Sequence, residues 1–391
     1  MIQGWHTYLL SELLTIKNGK DHKALAEGKY PVIGSGGIMR YVDSFLYNKP
    51  SILLPRKGTL DNIQFCDTPF WTVDTLYYTE VKDSLTHPYY LYWYLRMLDL
   101  SKLDSGTGVP SMTFESYYNI KVNLPPLSVQ RKIGKLLSDI DRKIALNRRM
   151  NATLEAMARQ LYDYWFVQFD FPDADGKPYK SSGGKMTWND KLKREIPEGW
   201  EASNIYLVAD VLSGGTPSKA KAEYWDNGDI PFFGPVDCNG SMFQIDTADH
   251  ITQAGLEHCA SSLFEEGDII ITARGSIGKL VVVGKPMAMN QSCYAFQSKA
   301  ETFEYLYFLA IQLIDSLKAK GSGSVFKSIT LSDIENSLLC IAKSNLINAF
   351  CEKVHPFLQQ IKFNTKNTAK LTRLRSTLLP LLMNGQASVN D

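Results

Sequence analysis

Several glycine-rich loops in this 391-residue sequence carry a lysine, an arginine or a hydroxyl side chain beside the glycines. Glycine lets a backbone approach a phosphate closely, and a neighbouring Arg or Lys can hold phosphate or the edge of guanine. Each loop taken alone is also explained as an ordinary turn. The candidate nucleic-acid contacts in and beside these loops are Lys20, Ser35, Arg56, Lys57, Thr59, Thr107, Ser111, Lys219, Arg274, Ser276, Lys279, Ser322 and Lys327.

Catalytic motifs are missing from the sequence. Asp67–Phe70 approaches the [ND]PP[YF] motif of methyltransferases but lacks its second proline. A P-loop around Gly278–Lys279 would need glycine in place of Ala273 and Ser or Thr in place of Leu280. Neither HExxH nor GxSxG occurs. Missing motifs do not prove that catalysis is absent, but they favour a binding protein over an enzyme.

Composition indicates a globular protein of two or three domains, with 44% hydrophobic and 21% charged residues. The six cysteines form no CxxC pair, so neither a metal site nor a disulfide framework is indicated and a reducing cytoplasm is expected. We expect no signal peptide and no membrane-spanning segment. The net charge of +1 counts against a simple DNA-binding module, so DNA binding would need local charge or a partner.

The chain reads as one unit written twice. Five matches occur in the same order in both copies, and the offset between them drifts along the chain, as loop insertions on a shared scaffold would produce. The clearest matches pair Gly4–Trp5 with Gly199–Trp200, Tyr30–Gly34 with Ile230–Gly234, Lys57–Leu60 with Arg274–Ile277, and Tyr90–Trp93 with Tyr305–Phe308. Within the loops, Lys57 corresponds to Arg274, and Thr107 to Ser322.

Each copy ends in a heptad pattern of about 35 residues, which is typical of a coiled coil rather than of an ordinary core helix. One constant offset relates the two patterns and takes Ile133 to Phe350, and we call positions related by this offset equivalent. The residues expected to pair the helices are Ile133, Leu137, Ile140, Ile144, Asn147, Asn151, Leu154 and Leu161 in the first, and Phe350, Val354, Ile361, Asn364, Thr368, Leu371 and Leu378 in the second.

Both patterns are interrupted by polar residues at the same place, and a buried polar layer sets the register of a coiled coil. The interruptions are Asn147 and Asn151 in the first pattern and Asn364 and Thr368 in the second. If the helices pair antiparallel, these layers meet and the two domains are related by a pseudo-two-fold axis. Pro356 should kink the second helix or delay its beginning, and Pro380 should mark its frayed end.

The predicted fold class is α+β, with two tandem mixed α/β domains separated by two long antiparallel helices. The aromatic run Pro88–Tyr94 is better explained by core packing than by base stacking. The predicted divisions are a first domain at 1–126, a helix at 127–169, a linker at 170–199, a second domain at 200–342, a second helix at 343–385 and a tail at 386–391.

Several segments resemble type I restriction-modification specificity subunits. Leu124–Ile133 resembles the LPPLxxQxxI that opens the conserved helix of that family, and Leu154–Asp170 resembles the end of that helix. Glu195–Trp200 is similar to the start of the second target-recognition domain, and Asn364–Gly385 to the C-terminal helix. The corresponding segment before the second helix, Leu339–Asn345, departs from the family pattern because it lacks the proline pair and the glutamine.

This resemblance implies a non-catalytic subunit in which each domain reads one half of a split double-stranded DNA sequence. It implies that the helices hold the halves apart and dock two methyltransferase subunits, to which translocase/nuclease subunits can be added. S-adenosylmethionine, ATP and magnesium are then expected on the partners, and no cofactor or metal in this chain. The assembled complex would be a type I site-specific deoxyribonuclease and adenine methyltransferase in the cytoplasm.

Two other classes of function stay open from the residues alone. One is a stand-alone DNA-modifying enzyme with two catalytic lobes, and the other is a purely structural coiled-coil scaffold. If the chain does read DNA, the difference between Pro55–Thr59 and Thr272–Ser276 predicts two different half-sites and therefore an asymmetric target.

Overall fold

A computed structural model describes residues 4–58, 60–100, 110–320 and 328–389. The chain divides into a first unit, residues 1–144 with 370–391, and a second unit, residues 145–369. Both boundaries fall inside long helices, so each unit contains part of both helices. Each unit combines sheets with helices, as the predicted fold class requires. No helix in the described part of the chain is long and apolar enough to cross a membrane.

The α-helices of the described residues are α1 (Leu10–Leu13), α2 (Pro88–Arg96), α3 (Phe114–Tyr118), α4 (Leu127–Tyr162), α5 (Gln253–Glu257), α6 (Phe303–Lys320), α7 (Leu331–Glu335) and α8 (Ser344–Met383). A π-helical turn, Asp163–Val167, continues α4. The strands of the first unit are β1 (His6–Leu9), β2 (Leu14–Lys17), β3 (Glu27–Gly34), β4 (Gly37–Val42), β5 (Ser51–Pro55), β6 (Gln64–Cys66), β7 (Trp71–Thr72), β8 (Leu76–Val81) and β9 (Lys121–Leu124). Those of the second unit are β10 (Met186–Asn189), β11 (Arg194–Pro197), β12 (Glu201–Ser203), β13 (Ala209–Ser213), β14 (Ile230–Phe233), β15 (Phe243–Gln244), β16 (Asp249–Ile251), β17 (Ile269–Thr272), β18 (Leu280–Val283), β19 (Ala288–Met289), β20 (Cys293–Ser298) and β21 (Leu339–Ile341).

The two units share one sheet plan, to which the second unit adds a fifth strand, β15, and the two-stranded sheet β10-β11. In the first, the strand orders are β2-β8-β5-β6, β4-β3-β7 and β1-β9. In the second, they are β13-β20-β17-β18-β15, β16-β14-β19 and β12-β21. The three-stranded sheet of each unit contains one parallel pair of strands, β3 with β7 in the first unit and β14 with β19 in the second. The internal repeat found in the sequence is therefore a repeat of strand pairing.

The connection into each long helix is two residues long in both units. Pro125–Pro126 joins β9 to α4, and Ala342–Lys343 joins β21 to α8. The carbonyl of Pro126 accepts from two amides of the first turn of α4, at 2.9 and 3.1 Å. The carbonyl of Lys343 does the same in α8, at 3.0 and 3.1 Å. The missing proline pair therefore does not change how the second helix begins.

Pro356 does not delay the beginning of the second helix, so that alternative was wrong, and a kink at Pro356 stays a prediction. Helix α8 begins at Ser344 and continues through Pro356 and Pro380 to Met383. A proline inside a helix removes one amide donor and displaces the carbonyl four residues earlier. Pro356 and Glu352, which supplies that carbonyl, are both exposed, so the freed oxygen faces solvent.

The segment expected to be a linker contains a hairpin, β10 with β11, and packs against its surroundings. Phe171 stacks on Tyr179 and on Trp200, with ring centroids 4.6 and 5.4 Å apart. The Arg194 guanidinium lies 4.6 Å from the ring centroid of Phe169. These aromatic contacts fix residues 169–200 in the second unit.

Aromatic side chains of α2 form the core of the first unit, as expected for the run Pro88–Tyr94. Tyr90 and Leu91 are completely buried, and Trp93 is nearly so. The corresponding helix of the second unit, α6, buries its own Tyr305 and Phe308. Tyr90, Tyr92 and Trp93 therefore offer no exposed face for base stacking.

One glycine in each unit permits a close approach between two backbone segments. Gly19 follows β2, and a Cβ there would lie 2.0 Å from the carbonyl oxygen of Val73. Gly214 follows β13, and its Cβ would lie 2.2 Å from the carbonyl oxygen of Asn290. The next residue then donates its amide to the end of the neighbouring strand, Lys20 to the Thr72 carbonyl at 2.8 Å in the first unit.

Replacing Gly19 or Gly214 by alanine should destabilise the unit that contains it by about 1–3 kcal/mol, because the clash is with rigid backbone. Urea unfolding followed by circular dichroism measures this loss. Gly36→Ala is the matched control, since a Cβ there meets nothing within 4 Å. Equal stability of the Gly19→Ala and Gly36→Ala proteins would contradict the close-approach argument.

Candidate nucleic-acid interface

In the first unit, the candidate residues gather where the parallel strands β3 and β7 end. The two strands finish at Gly34 and Thr72, and the amide of Val73 donates to the Ile33 carbonyl at 3.3 Å. Loops that leave these strands enclose a cleft of about 740 Å³. The residues lining it are Asp21, His22, Lys23, Gly34, Ser35, Gly36, Gly37, Ile38, Met39, Val73, Asp74 and Thr75.

The structure brings together the predicted residues of the first unit that it describes. Ser35 lines the cleft, and Lys20 is exposed beside Asp21 at its edge. The amide of Arg56 donates to the carbonyl of Thr75, another lining residue, at 2.9 Å. Lys57 pairs with Ser111 in an isolated antiparallel bridge.

Arg56 and Lys57 differ in how available they are to a ligand. The Arg56 guanidinium is half-buried, donates to the Asp74 carbonyl at 3.3 Å and lies 6.0 Å from the ring centroid of Tyr77. Lys57 is exposed and forms no ion pair with a described carboxylate. Arg56 therefore braces the loop, and Lys57 presents the free charge.

Two exposed carboxylates of the cleft lining are unfavourable for a phosphate. Asp21 and Asp74 both line it. The backbone amide of Lys23 donates to the Asp21 carboxylate at 3.0 Å and lowers the pKa of that group, so Asp21 is charged at neutral pH. An incoming phosphate would meet favourable charge at the rim of the cleft, at Lys20, Lys23 and Lys57, rather than at the two carboxylates.

In the second unit, Arg274, Ser276 and Lys279 share the loop between β17 and β18, and all three are exposed. Thr272 holds this loop together. Its hydroxyl donates to the Ser276 carbonyl at 2.5 Å and accepts from the Lys279 amide at 3.0 Å. Gly275 has a φ of 75°, a conformation that favours glycine. The loop is therefore a fixed turn that carries two cations outward.

Lys219 lies on the loop that follows β13, as Lys20 lies on the loop that follows β2. Its ammonium group is 5.8 Å from the ring centroid of Trp225. The Trp225 indole in turn donates to the carbonyl of Ser218 at 3.1 Å, which fixes the backbone beside the lysine. The exposed Lys219 is thus placed by an aromatic ring rather than by a carboxylate.

Lys57 and Arg274 occupy the same backbone position in the two units. The amide of Lys57 donates to the Thr75 carbonyl at 3.4 Å, and that of Arg274 to the Ser292 carbonyl at 3.2 Å. The offset that takes Lys57 to Arg274 also takes Thr75 to Ser292, and it is the offset that relates the two helices. The two repeats therefore present one exposed cation each from an equivalent frame.

Four of the predicted contacts, Thr59, Thr107, Ser322 and Lys327, lie outside the described residues. Conversely, sequence reasoning missed the short turns that hold the loops together, which we call the rim turns: residues 73–75 and 290–292. Their sequences, Val-Asp-Thr and Asn-Gln-Ser, share no feature that the repeat comparison detects. They act through backbone carbonyls, which every residue has, so the residue types give no sign of this role.

The helices that were expected to pair do so antiparallel, with their polar layers in contact. In the second unit, the Asn147 amide donates to the Thr368 hydroxyl at 3.3 Å. Asn151 donates to the Thr365 hydroxyl at 3.1 Å and accepts from the Asn364 amide at 3.0 Å. The contacts run in opposite directions along the two helices, so the layer defines a single register.

Apolar seam residues flank these layers within each unit. In the second unit, Phe350, Val354 and Ile361 are buried in one cluster, against which Leu154 and Leu161 pack. In the first unit, Ile133 and Leu137 are buried in one cluster against which Leu378 packs. Ile140 and Ile144 are also buried, and Leu371 is half-buried. Leu358, which the heptad count does not mark, is completely buried.

Comparison with known proteins identifies similar proteins along almost the whole chain. Residues 2–156 and 197–372 match the family described as type I restriction modification DNA specificity domain. The chain is 25% identical over 355 residues to the type I restriction enzyme MjaIX specificity subunit of Methanocaldococcus jannaschii, covering 88% of this chain and 79% of that one. It is 25% identical over 346 residues to the HindI specificity subunit of Haemophilus influenzae, covering 75% and 74%.

A solved structure shares the fold. The crystal structure of a type I restriction-modification S subunit from M. genitalium superposes with a TM-score of 0.66 at 16% identity, covering 97% of this chain and 96% of that one. At this identity the likeness concerns the fold alone.

Replacing Asn151 by leucine should lower the free energy of unfolding by about 1–3 kcal/mol, because the Asn364 amide loses its acceptor inside a mostly buried layer. The double variant N151L/N364L should lose less than the sum of the two single variants, since the orphaned amide is then gone. Urea unfolding of the wild type, the two single variants and the double variant measures this coupling. Gln359→Leu is the control, since Gln359 is exposed on α8, the helix that carries Asn364. Strict additivity would show that the two asparagines are not coupled.

Proposed function

Because the chain belongs to the type I restriction-modification specificity subunit family, whose DNA specificity domain it carries twice, we propose that each of its domains reads one half of a bipartite DNA target. The chain is a recognition subunit. Methyl transfer, ATP hydrolysis and cleavage belong to the partner subunits, so that the assembled complex is a site-specific deoxyribonuclease and adenine methyltransferase. We also place the domains at 1–126 and 200–342, with the helices between and after them.

The observation that carries this proposal is the repeated frame with unlike loops. Lys57 and Arg274 leave equivalent backbone positions, but the loops around them differ in sequence and in length. Direct readout depends on which donor and acceptor groups face the base edges. Two different loop sets on one frame therefore fit two different half-sites. Lys57 and Arg274 would supply phosphate contacts.

Docking of two methyltransferase subunits is supported by exposed apolar side chains on both long helices. On α4, Leu146 and Met157 are 41% and 47% exposed, and they lie about three turns apart on one face. The equivalent residues on α8, Phe363 and Leu374, are 60% and 47% exposed. Exposed apolar patches mark sites of protein association. Equivalent patches on two helices fit two copies of one partner.

Methylation mapping in the host, with and without the gene, tests the proposal as a whole. It should return one split target whose two half-sites differ. A palindromic target would contradict the assignment of unlike half-sites to unlike loops. Methyl transfer or DNA cleavage by the purified chain alone would contradict the assignment of catalysis to the partners.

Lys57→Ala and Arg274→Ala should each weaken binding of the specific DNA by about 1–3 kcal/mol without altering stability. Because both side chains are assigned to phosphate, each variant should weaken the binding of specific and non-specific DNA alike and lower the salt dependence of binding. Fluorescence anisotropy of the complex with methyltransferase measures both effects.

Matched controls for these two variants lie at the opposite ends of the same strands. They are Lys49→Ala, before β5, and Lys285→Ala, after β18, and both lysines are exposed. If K49A or K285A weakened binding as much as K57A or R274A, general charge rather than the rim position would account for the effect.

Met157→Glu should weaken the docking of one methyltransferase copy about 10- to 100-fold, because a charge replaces an apolar contact at an interface core. Leu374→Glu should affect the other copy, and the double variant both. Native mass spectrometry with titrated methyltransferase counts the bound copies. Ala152→Glu, on another face of α4, is the control, and unchanged docking of the double variant would exclude this surface.

A further inference from the structure

An ion pair between α4 and α8, beside α2, distinguishes the first unit from the second. Asp141 of α4 and Arg375 of α8 form an ion pair, with side chains only 19% and 23% exposed. The Tyr89 hydroxyl donates to the Asp141 carboxylate at 2.6 Å. The Arg375 guanidinium lies 4.9 Å from a ring centroid of Trp93. Domain and helices meet here through charge.

The equivalent positions of the two long helices in the second unit carry no charge. The position equivalent to Asp141 holds Leu358, and the position equivalent to Arg375 holds Ala158. Both are completely buried in one apolar cluster. Helix α6, the counterpart of α2, meets the long helices through other polar contacts, from the Tyr307 hydroxyl to Glu155 and between Glu304 and His355. The repeat thus fills one pair of helix positions with an ion pair and the equivalent pair with apolar residues.

The buried Leu358 and Ala158 show that the helix pair does not need charge at these positions to be stable. Taking two charges out of water is costly, and well-packed apolar residues often serve as well or better. Removal of one partner alone is far more damaging, because it leaves a desolvated charge without a counterion. The pair is therefore suited to penalising wrong partners rather than to adding stability.

Each long helix could also pair with the same helix of a second chain, because the seams of α4 and α8 are copies of each other. Two α4 helices paired antiparallel in the same register would still place asparagine against asparagine in the polar layer. Asp141, however, would then face Ala158 of the second copy instead of Arg375. Two α8 helices would place Arg375 against Leu358. Every like pairing leaves two buried charges without partners.

We propose that the Asp141–Arg375 pair makes each long helix select the other and reject a second copy of itself. The chain consequently joins one domain of each kind and does not assemble into pairs of like domains with other copies of the chain. The inference concerns association between repeats and does not depend on what the domains bind.

A nicked full-length chain tests this selection. A protease site is inserted at the exposed Asp175–Gly176 turn, and the chain is folded and cleaved there. The two pieces are then unfolded in urea and refolded together, and native mass spectrometry counts mixed and like pairs. The unmodified chain should re-form mixed pairs only.

The informative variant is D141L/R375M/Y89F, in which Tyr89→Phe removes the hydroxyl that would lose its acceptor. Like pairs should then rise towards their statistical share of about half. The exchanged pair D141R/R375D should return the chain to mixed pairs. Mixed pairs alone in the triple variant, or like pairs at that share in the unmodified chain, would overturn the proposal. Failure of the uncleaved triple variant to fold would overturn it too, because the pair would then be needed for stability.

Discussion

The antiparallel pairing of α4 with α8 is the interaction on which both units depend. In the first unit, Leu382 and Met383 of α8 are buried in the same cluster as Ile133 and Leu137 of α4. In the second, Ala158 of α4 is buried with Phe350 of α8. Each core is incomplete until a segment that is remote in the sequence has arrived. Contacts of such separation are entropically costly to form, so each unit needs the whole chain.

Within that constraint, the repeat divides the chain into a constant frame and variable surfaces. The frame consists of strand orders, the two-residue connections before α4 and α8, and the amide contacts to the rim turns. Hydrogen bonds of the backbone hold it, and they tolerate almost any side chain. Variation is therefore free to accumulate in the loops that the frame presents, which is where a recognition protein needs it.

The sequence was informative where side chains repeat with a period and uninformative where the backbone makes the contacts. The heptad spacing predicted the buried positions of α4 and α8, because burial of a helix face requires that period. The correspondence of Lys57 with Arg274 was also predictable, since both sit in similar tetrapeptides. The rim turns were not, because a carbonyl acceptor such as that of Thr75 or Ser292 is common to all residues.

Pro356 and Leu358 show a second reason for the errors of sequence reasoning. Proline inside a helix removes one hydrogen bond and displaces one carbonyl, and here the residue that supplies this carbonyl, Glu352, is exposed to water. Leu358 escaped the heptad count because the position equivalent to the seam residue Ile140 is its neighbour, Phe357. The equivalent of Leu358 in the first helix is the charged Asp141, so comparison of the two helices did not mark this position as apolar.

That mismatch between Leu358 and Asp141 connects the helices with the loops. The difference between the two loop sets is useful only if every assembly contains one domain with each set. Two copies of the same domain would bind a symmetric DNA target. Helix seams that are copies of each other cannot favour the α4–α8 pair, since their asparagine and leucine layers pack equally well against a second copy of the same helix. A charge placed on one helix and its counterion on the other breaks the equivalence at the cost of desolvating both. The equivalent positions in the second unit, Leu358 and Ala158, are apolar and supply packing, so a single ion pair is enough to give the chain two distinct halves.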